Sequence, residues 1–252
     1  MATSGDLPII ETAIQGWRDA ASARERMPNL FWITLAILIA LGILHALIGG
    51  YFSLVVSIIL SLAQALALTP LAIAVHRYVL LGEARDAYDF APGDPRFQKF
   101  FLFTVALEIL GAIPQVIALL FLAIAPFLYS LVALVLSIVT TIIAVRTVML
   151  FPSIAVDASG ADWRNAMADA KGHSWRIFFV LVCVVLPASV LAVIVVALFS
   201  WSFLLSSVVL ALIVPAITVF AVAAAAAAVS RLFAAYANQL GRPASLSTRS
   251  AV

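Results

Sequence analysis

Six long apolar runs govern what this chain can become. They are about Asn29–Gly49, Ser53–Leu80, Phe97–Leu122, Pro126–Phe151, Arg176–Phe199 and Ser202–Tyr236. A helix needs roughly 20 apolar residues to cross ~30 Å of hydrocarbon, and every run reaches that length. A membrane barrel would instead show alternating segments of ~10 residues. Composition points the same way. The chain is 65% hydrophobic and 10% charged, with mean hydropathy +1.18, whereas soluble domains carry about 25% charged residues. One water-soluble core cannot hide that much apolar surface. The expected fold is therefore an all-α, polytopic membrane protein with six transmembrane helices. The sixth run is long enough to tilt or to continue into the cytoplasm.

The 14 basic residues give the orientation. Arg18, Arg24 and Arg26 precede the first run. Arg77, Arg85, Arg96 and Lys99 surround the connection after the second run, and Arg146, Arg164, Lys171 and Arg176 the one after the fourth. Arg231, Arg242 and Arg249 close the chain. The connections near Gly49–Phe52, Ala123–Pro126 and Phe199–Ser202 carry none. Positive charge is retained on the cytoplasmic side. Both termini are thus expected inside, and the chain reads as three in-out-in hairpins. Tyr51, Phe52, Phe127, Tyr129, Phe199 and Trp201 mark the outer interface, where aromatic rings collect. The N-terminal "MATSGDLPIIETAIQGW" lacks the basic segment and immediate apolar core of a signal peptide. Residues 1–28 read as a cytoplasmic amphipathic segment, 29–240 as the six-helix domain, and 241–252 as a disordered tail.

Internal echoes link the hairpins. "AVHR" ends at Arg77, "AVR" at Arg146 and "AVSR" at Arg231. Trp17-Arg18-Asp19-Ala20 is echoed by Trp163-Arg164-Asn165-Ala166. A threefold repeat follows, with one irregularity. Arg146 sits two residues after its alanine, and Arg77 and Arg231 sit three after theirs, a rotation of about 100° on a helix. Ile9–Ala23 and Trp163–Lys171 read as surface-lying amphipathic helices. The second would present Trp163, Met167 and Ala170 as its apolar face, with Ser159 and Asp162 as candidate caps. Small residues in the second, fourth and sixth runs permit close approach, so these three are expected to form an inner ring.

Few side chains could carry chemistry. Arg77, Arg146 and Arg231 are either interfacial anchors or a set converging on an anionic headgroup, whose phosphate the planar guanidinium fork suits. In the second case acids or phosphate must separate them, and Glu83, Asp86 and Asp157 are at hand. Glu108 is the acid within a span. A charge at mid-bilayer costs several kcal/mol, so it is either a protonated packing residue or a proton-coupling group in a transporter. Thr104, Glu108, Gly111 and Gln115 share one helical face, expected to point inward. His45 is the obvious relay partner but lies too close to the outer side. His76 and His173 read as polar boundary residues. Cys183, the one cysteine, excludes an internal disulfide framework. No GxxxxGK[ST], HExxH, GxSxG or GxGxxG motif occurs. No enzyme activity, cofactor, metal or nucleic-acid partner is expected. The expected partners are the bilayer, its anionic headgroups, and a membrane protein or a second copy.

The endings "HRYVLLGE" and "VRTVMLFPSIAVDASGADWRNA", with the hairpin triplet, resemble bacterial six-helix membrane proteins. These are related to the membrane domain attached to some glycerophosphodiester phosphodiesterases, and to stand-alone families of uncharacterised function. The resemblance covers residues 10 to 238 and implies a bacterial inner-membrane protein. The phosphodiesterase domain, with its acidic metal-binding residues, is absent from this chain, so no catalytic role carries over. The reading that results is a non-enzymatic membrane component that binds lipid or protein. The alternative is a small secondary transporter using Glu108.

Overall fold

The computed structural model describes residues 7–48, 53–122, 125–199, 201 and 203–241. Tyr51, Phe52, Arg242, Arg249 and the tail assigned as disordered beyond Gly241 lie outside them. All regular structure in the described residues is helical: α1 (Ile9–Arg26), α2 (Pro28–Ile48), α3 (Ser53–Leu81), α4 (Pro95–Leu122), α5 (Pro126–Thr147), α6 (Leu150–Ala155), α7 (Trp163–Asp169), α8 (Ser174–Phe199) and α9 (Phe203–Tyr236). Six spans are long and apolar enough to cross a membrane, and they match the six runs. Pro70, Pro114, Pro187 and Pro215 all sit inside helices.

The fourth run is not one helix. Pro152 has no N–H to offer the Val148 carbonyl. That carbonyl instead accepts the Phe151 N–H at 3.2 Å. The chain turns at Val148–Met149 and restarts as α6, which buries Leu150, Pro152, Ser153, Ile154 and Ala155.

Helix α9 is the axis, packed against α1, α2, α3 and α8. Its alanines 223, 224, 226, 227 and 228 are buried, and without bulk they let neighbouring backbones close in. Gly16 of α1 lies so near that a Cβ there would come within 2.9 Å of the Ala224 carbonyl oxygen. Thus α1 does not lie on the surface by a large apolar face, as expected. It buries the small residues Thr12, Ala13, Gly16, Ala20 and Ala23 and leaves Ile10 and Ile14 exposed. The short helix α7 packs on the bundle by one side. Trp163 is exposed, and Ala166, Asp169 and Ala170 are buried. The cause is Asp169, whose carboxylate accepts the backbone N–H groups of Asn238, Gln239 and Leu240 at 2.9–3.1 Å. Asp162 occupies the N-cap position without a side-chain capping bond.

The expected inner ring is two-thirds correct. In an apolar 18-residue stretch of each span, 44% of residues are buried for α3 and α9, against 11% for the α5–α6 span. From Phe127 to Ala144 no residue of α5 is buried, and burial begins at Val145. Thr140 and Thr147 spend their hydroxyls on carbonyls of their own helix, those of Ser137 and Ile143.

Residues 82–94 fold back along α3. Gly82, at φ 72°, ends that helix. The Asp86 carboxylate accepts the N–H groups of Asn29 and Leu30 and the Asn29 amide, capping α2. The Tyr88 hydroxyl donates to the Ala67 carbonyl at 3.0 Å, and burial pushes the Tyr88 phenol above its ordinary range.

Candidate functional site

The echoed endings meet. Val75 and Val229 are buried, and the residues after them, His76 and Ser230, lie 2.7 Å apart, Nδ1 to Oγ. The Ser230 hydroxyl spends its single proton on the Ala226 carbonyl. His76 Nδ1 is therefore the donor, and Nε2 is free of that bond. The middle ending, "AVR", lacks the intervening residue, so it has nothing to place at this contact.

Beside His76 opens a cavity of about 380 Å³, walled by α3, α4, α8 and α9 and closed below by Val148 and Phe151. Its polar lining is Ser61, Gln64, Thr69, His76, Thr104 and Glu108. The Thr69 and Thr104 hydroxyls are committed to the carbonyls of Ala65 and Phe100 within their own helices. Glu108 and Gln64 have no hydrogen-bond or ion-pair partner among the described residues. Glu108 is exposed, so the cavity opens sideways, between helices. At ~1.5 Å per residue, Glu108 lies ~20 Å along α4 from Pro95, and His76 ~8 Å back from Leu81.

This sorts the predicted intramembrane residues. Thr104 and Glu108 line the cavity. Gly111 and Gln115, farther along the same face, are exposed and do not line it. His45 is exposed on α2 and lines no part of it. His76, read as a boundary residue, is the histidine that shares the cavity with Glu108. The register of "AVHR" on "AVSR" was the signal for it. His173 stacks on Tyr236 with ring centroids 4.2 Å apart. Among the described residues no group of three or more His, Cys, Asp or Glu is placed to hold a metal ion.

The arginines do not share one point. Arg77 forms a two-pronged bond with Glu83, both contacts at 2.9 Å, and donates to the Ala155 carbonyl at 3.0 Å. Asp157 stands 3.7 Å from it and also pairs with Arg96. Arg231 is held by Asp19, with one of its two contacts at 2.9 Å. Arg146 differs. Its Nε donates to Ser174 Oγ at 3.3 Å, and no carboxylate among the described residues is within ion-pair reach. The one-residue shift in its spacing turns it to the α8 side. There it lines a separate cleft of about 520 Å³ between α5 and α8, with Ser174, Trp175, Ile138, Ile142 and Phe178.

No family model matches this chain, and no curated protein or solved structure matches it either.

Proposed function

We propose that this multi-pass membrane protein is a non-enzymatic component of a bacterial inner membrane that holds an anionic phospholipid in the α5–α8 cleft. Both termini are cytoplasmic in this reading. The observation that carries it is the contrast among the three arginines. Arg77 and Arg231 are neutralised by acids of the chain itself. Arg146 keeps its terminal nitrogens free of carboxylates at the mouth of an apolar cleft. A headgroup phosphate can take two parallel N–H bonds from that fork, and acyl chains can lie along Ile138, Ile142 and Phe178. Trp175, 74% exposed, suits the headgroup level. A headgroup-binding membrane domain also fits the proposed kinship with membrane domains of glycerophosphodiester phosphodiesterases.

Arg146→Ala should reduce co-purifying phosphatidylglycerol or cardiolipin roughly tenfold, since charged hydrogen bonds contribute ~1.5–3 kcal/mol. Arg77→Ala and Arg231→Ala should lower thermal stability and leave lipid retention near wild type. Equal retention in all three variants rejects the cleft as a headgroup site.

A second reading is favoured by the lateral cavity. An unpartnered Glu108 with a hydrophobic approach suits a small proton-coupled secondary transporter. Glu108→Gln would then abolish proton-coupled uptake in reconstituted vesicles.

A further inference from the structure

We propose that the cavity between α3, α4 and α9 binds a lipophilic organic cation, a quaternary ammonium or phosphonium centre with apolar substituents, which replaces a proton on Glu108. As a transported substrate this ligand rests on the second reading above; as a bound one it does not.

The chemistry of the walls selects the class. Glu108 is the charged residue of the lining, and no Lys or Arg shares it. A carboxylate withdrawn from water needs a counter-charge or a proton. The other walls are largely apolar, Phe100 and Phe151 among them. Gln64 adds an uncommitted amide, and His76 a ring nitrogen outside the Ser230 bond. A volume of about 380 Å³ falls in the range of small-molecule sites, ~300–1,000 Å³. The sideways opening at Glu108 admits a ligand that has already partitioned into the bilayer. Anions are excluded for want of any cationic side chain. The two clefts flanking α4 and α5 thus have opposite preferences, with Arg146 on one and Glu108 on the other.

Exchange balances as one proton released for one cation bound. The other titratable group of the lining is His76 on α3, about two helical turns from the level of Glu108. From α5, α6, α8 and α9 the lining is Val148, Phe151, Leu181, Val222, Ala225, Ala226 and Val229, none of which titrates.

The probe is tetraphenylphosphonium, added to purified full-length protein, with tetraphenylborate as the control of opposite charge. Saturable binding of the cation is expected. It should weaken as pH falls and release up to one proton per bound probe in weakly buffered solution. Glu108→Gln should weaken binding at least roughly tenfold and abolish proton release, while Glu108→Asp retains both. Ala225→Phe, which narrows the cavity from the α9 wall and keeps the carboxylate, should also block binding. Proton release is read on the wild-type chain, so it decides the matter even if a variant misfolds. Binding that is independent of pH, equal in Glu108→Gln, or matched by tetraphenylborate overturns the proposal. Glu108-dependent proton flux in vesicles without probe binding overturns the cation and spares the transport reading. Probe binding without flux upholds the site and removes transport.

Discussion

The α4–α5 hairpin and the bundle around α9 are built from equally greasy sequence, yet they are packed in opposite ways. Around α9, alanine and glycine bring backbones into contact, and α1, α2, α3 and α8 converge on it. In the hairpin, α4 and α5 pack mainly on one another. Beyond Thr104 the buried residues of α4 are Pro114 and Ala118. The hairpin joins the rest near the Pro95 end of α4, where Phe100 and Phe103 pack on Phe151 and Phe97 meets Phe90. Hydrophobicity alone does not pack helices in lipid, because the solvent is as apolar as the side chains. Small residues do, and their distribution divides the molecule. The Glu108 cavity and the Arg146 cleft both lie on the seam between the tight part and the loose one.

The largest effect should come from cutting the anchor that closes the tight half. Asp169 is buried, and three backbone N–H groups end on it. Asp169→Ala strands them, at a cost of about 3 kcal/mol. Hydrogen exchange should show Asn238–Leu240 losing protection first, with α4 and α5 unchanged. Loosening of the hairpin instead would break the division proposed here.

A matched pair of substitutions sharpens it. Gly16→Ala places a methyl 2.9 Å from both the Ala224 carbonyl oxygen and the Ala228 Cβ. A backbone carbonyl cannot swing aside, so overpacking should cost about 1–3 kcal/mol. Gly111→Ala, in the hairpin, meets nothing within 4 Å. It should keep the helix-propensity gain of about 1 kcal/mol. Thermal melts in detergent should move in opposite directions.

How much of this was legible follows from the range over which each force acts. The spans could be read because length and hydropathy are properties of contiguous sequence; α2 begins at Pro28, one residue before the first run, Asn29–Gly49. The turn at Val148–Met149 was signalled by Pro152 and hidden by the unbroken hydropathy around it. Helix α1 looked like a surface helix because its pattern is amphipathic, and a ridge of alanines accepts a small-residue face as readily as a membrane surface accepts a larger one. The pairing of Arg231 with Asp19 joins residues 212 apart, beyond the reach of any local rule. Arg77 and Glu83 are six apart, but they meet only because Gly82 reverses the chain between them. Arg146 was the legible exception, since its altered spacing already set it on another face.

The smallest effect is a pH dependence at the edge of the tight half. The Tyr88 phenol must be protonated to donate to the Ala67 carbonyl, and burial raises its pKa above the ordinary 10.0. A group whose folded value lies above its unfolded one stabilises the fold fully below the unfolded value. That contribution fades as pH rises through the folded value. Neutral solution should therefore leave the 82–94 segment seated, and strongly alkaline solution should release it. Asp86 would go with it, uncapping α2 at Asn29 and Leu30. Ultraviolet titration of tyrosine ionisation, followed alongside exchange of the Asn29 and Leu30 amides, should show the two events together in the wild-type chain. In Tyr88→Phe the alkaline step should vanish, with a small, pH-independent loss of protection in its place. An alkaline step that survives in Tyr88→Phe would assign the release to another group and detach this loop from the packed half.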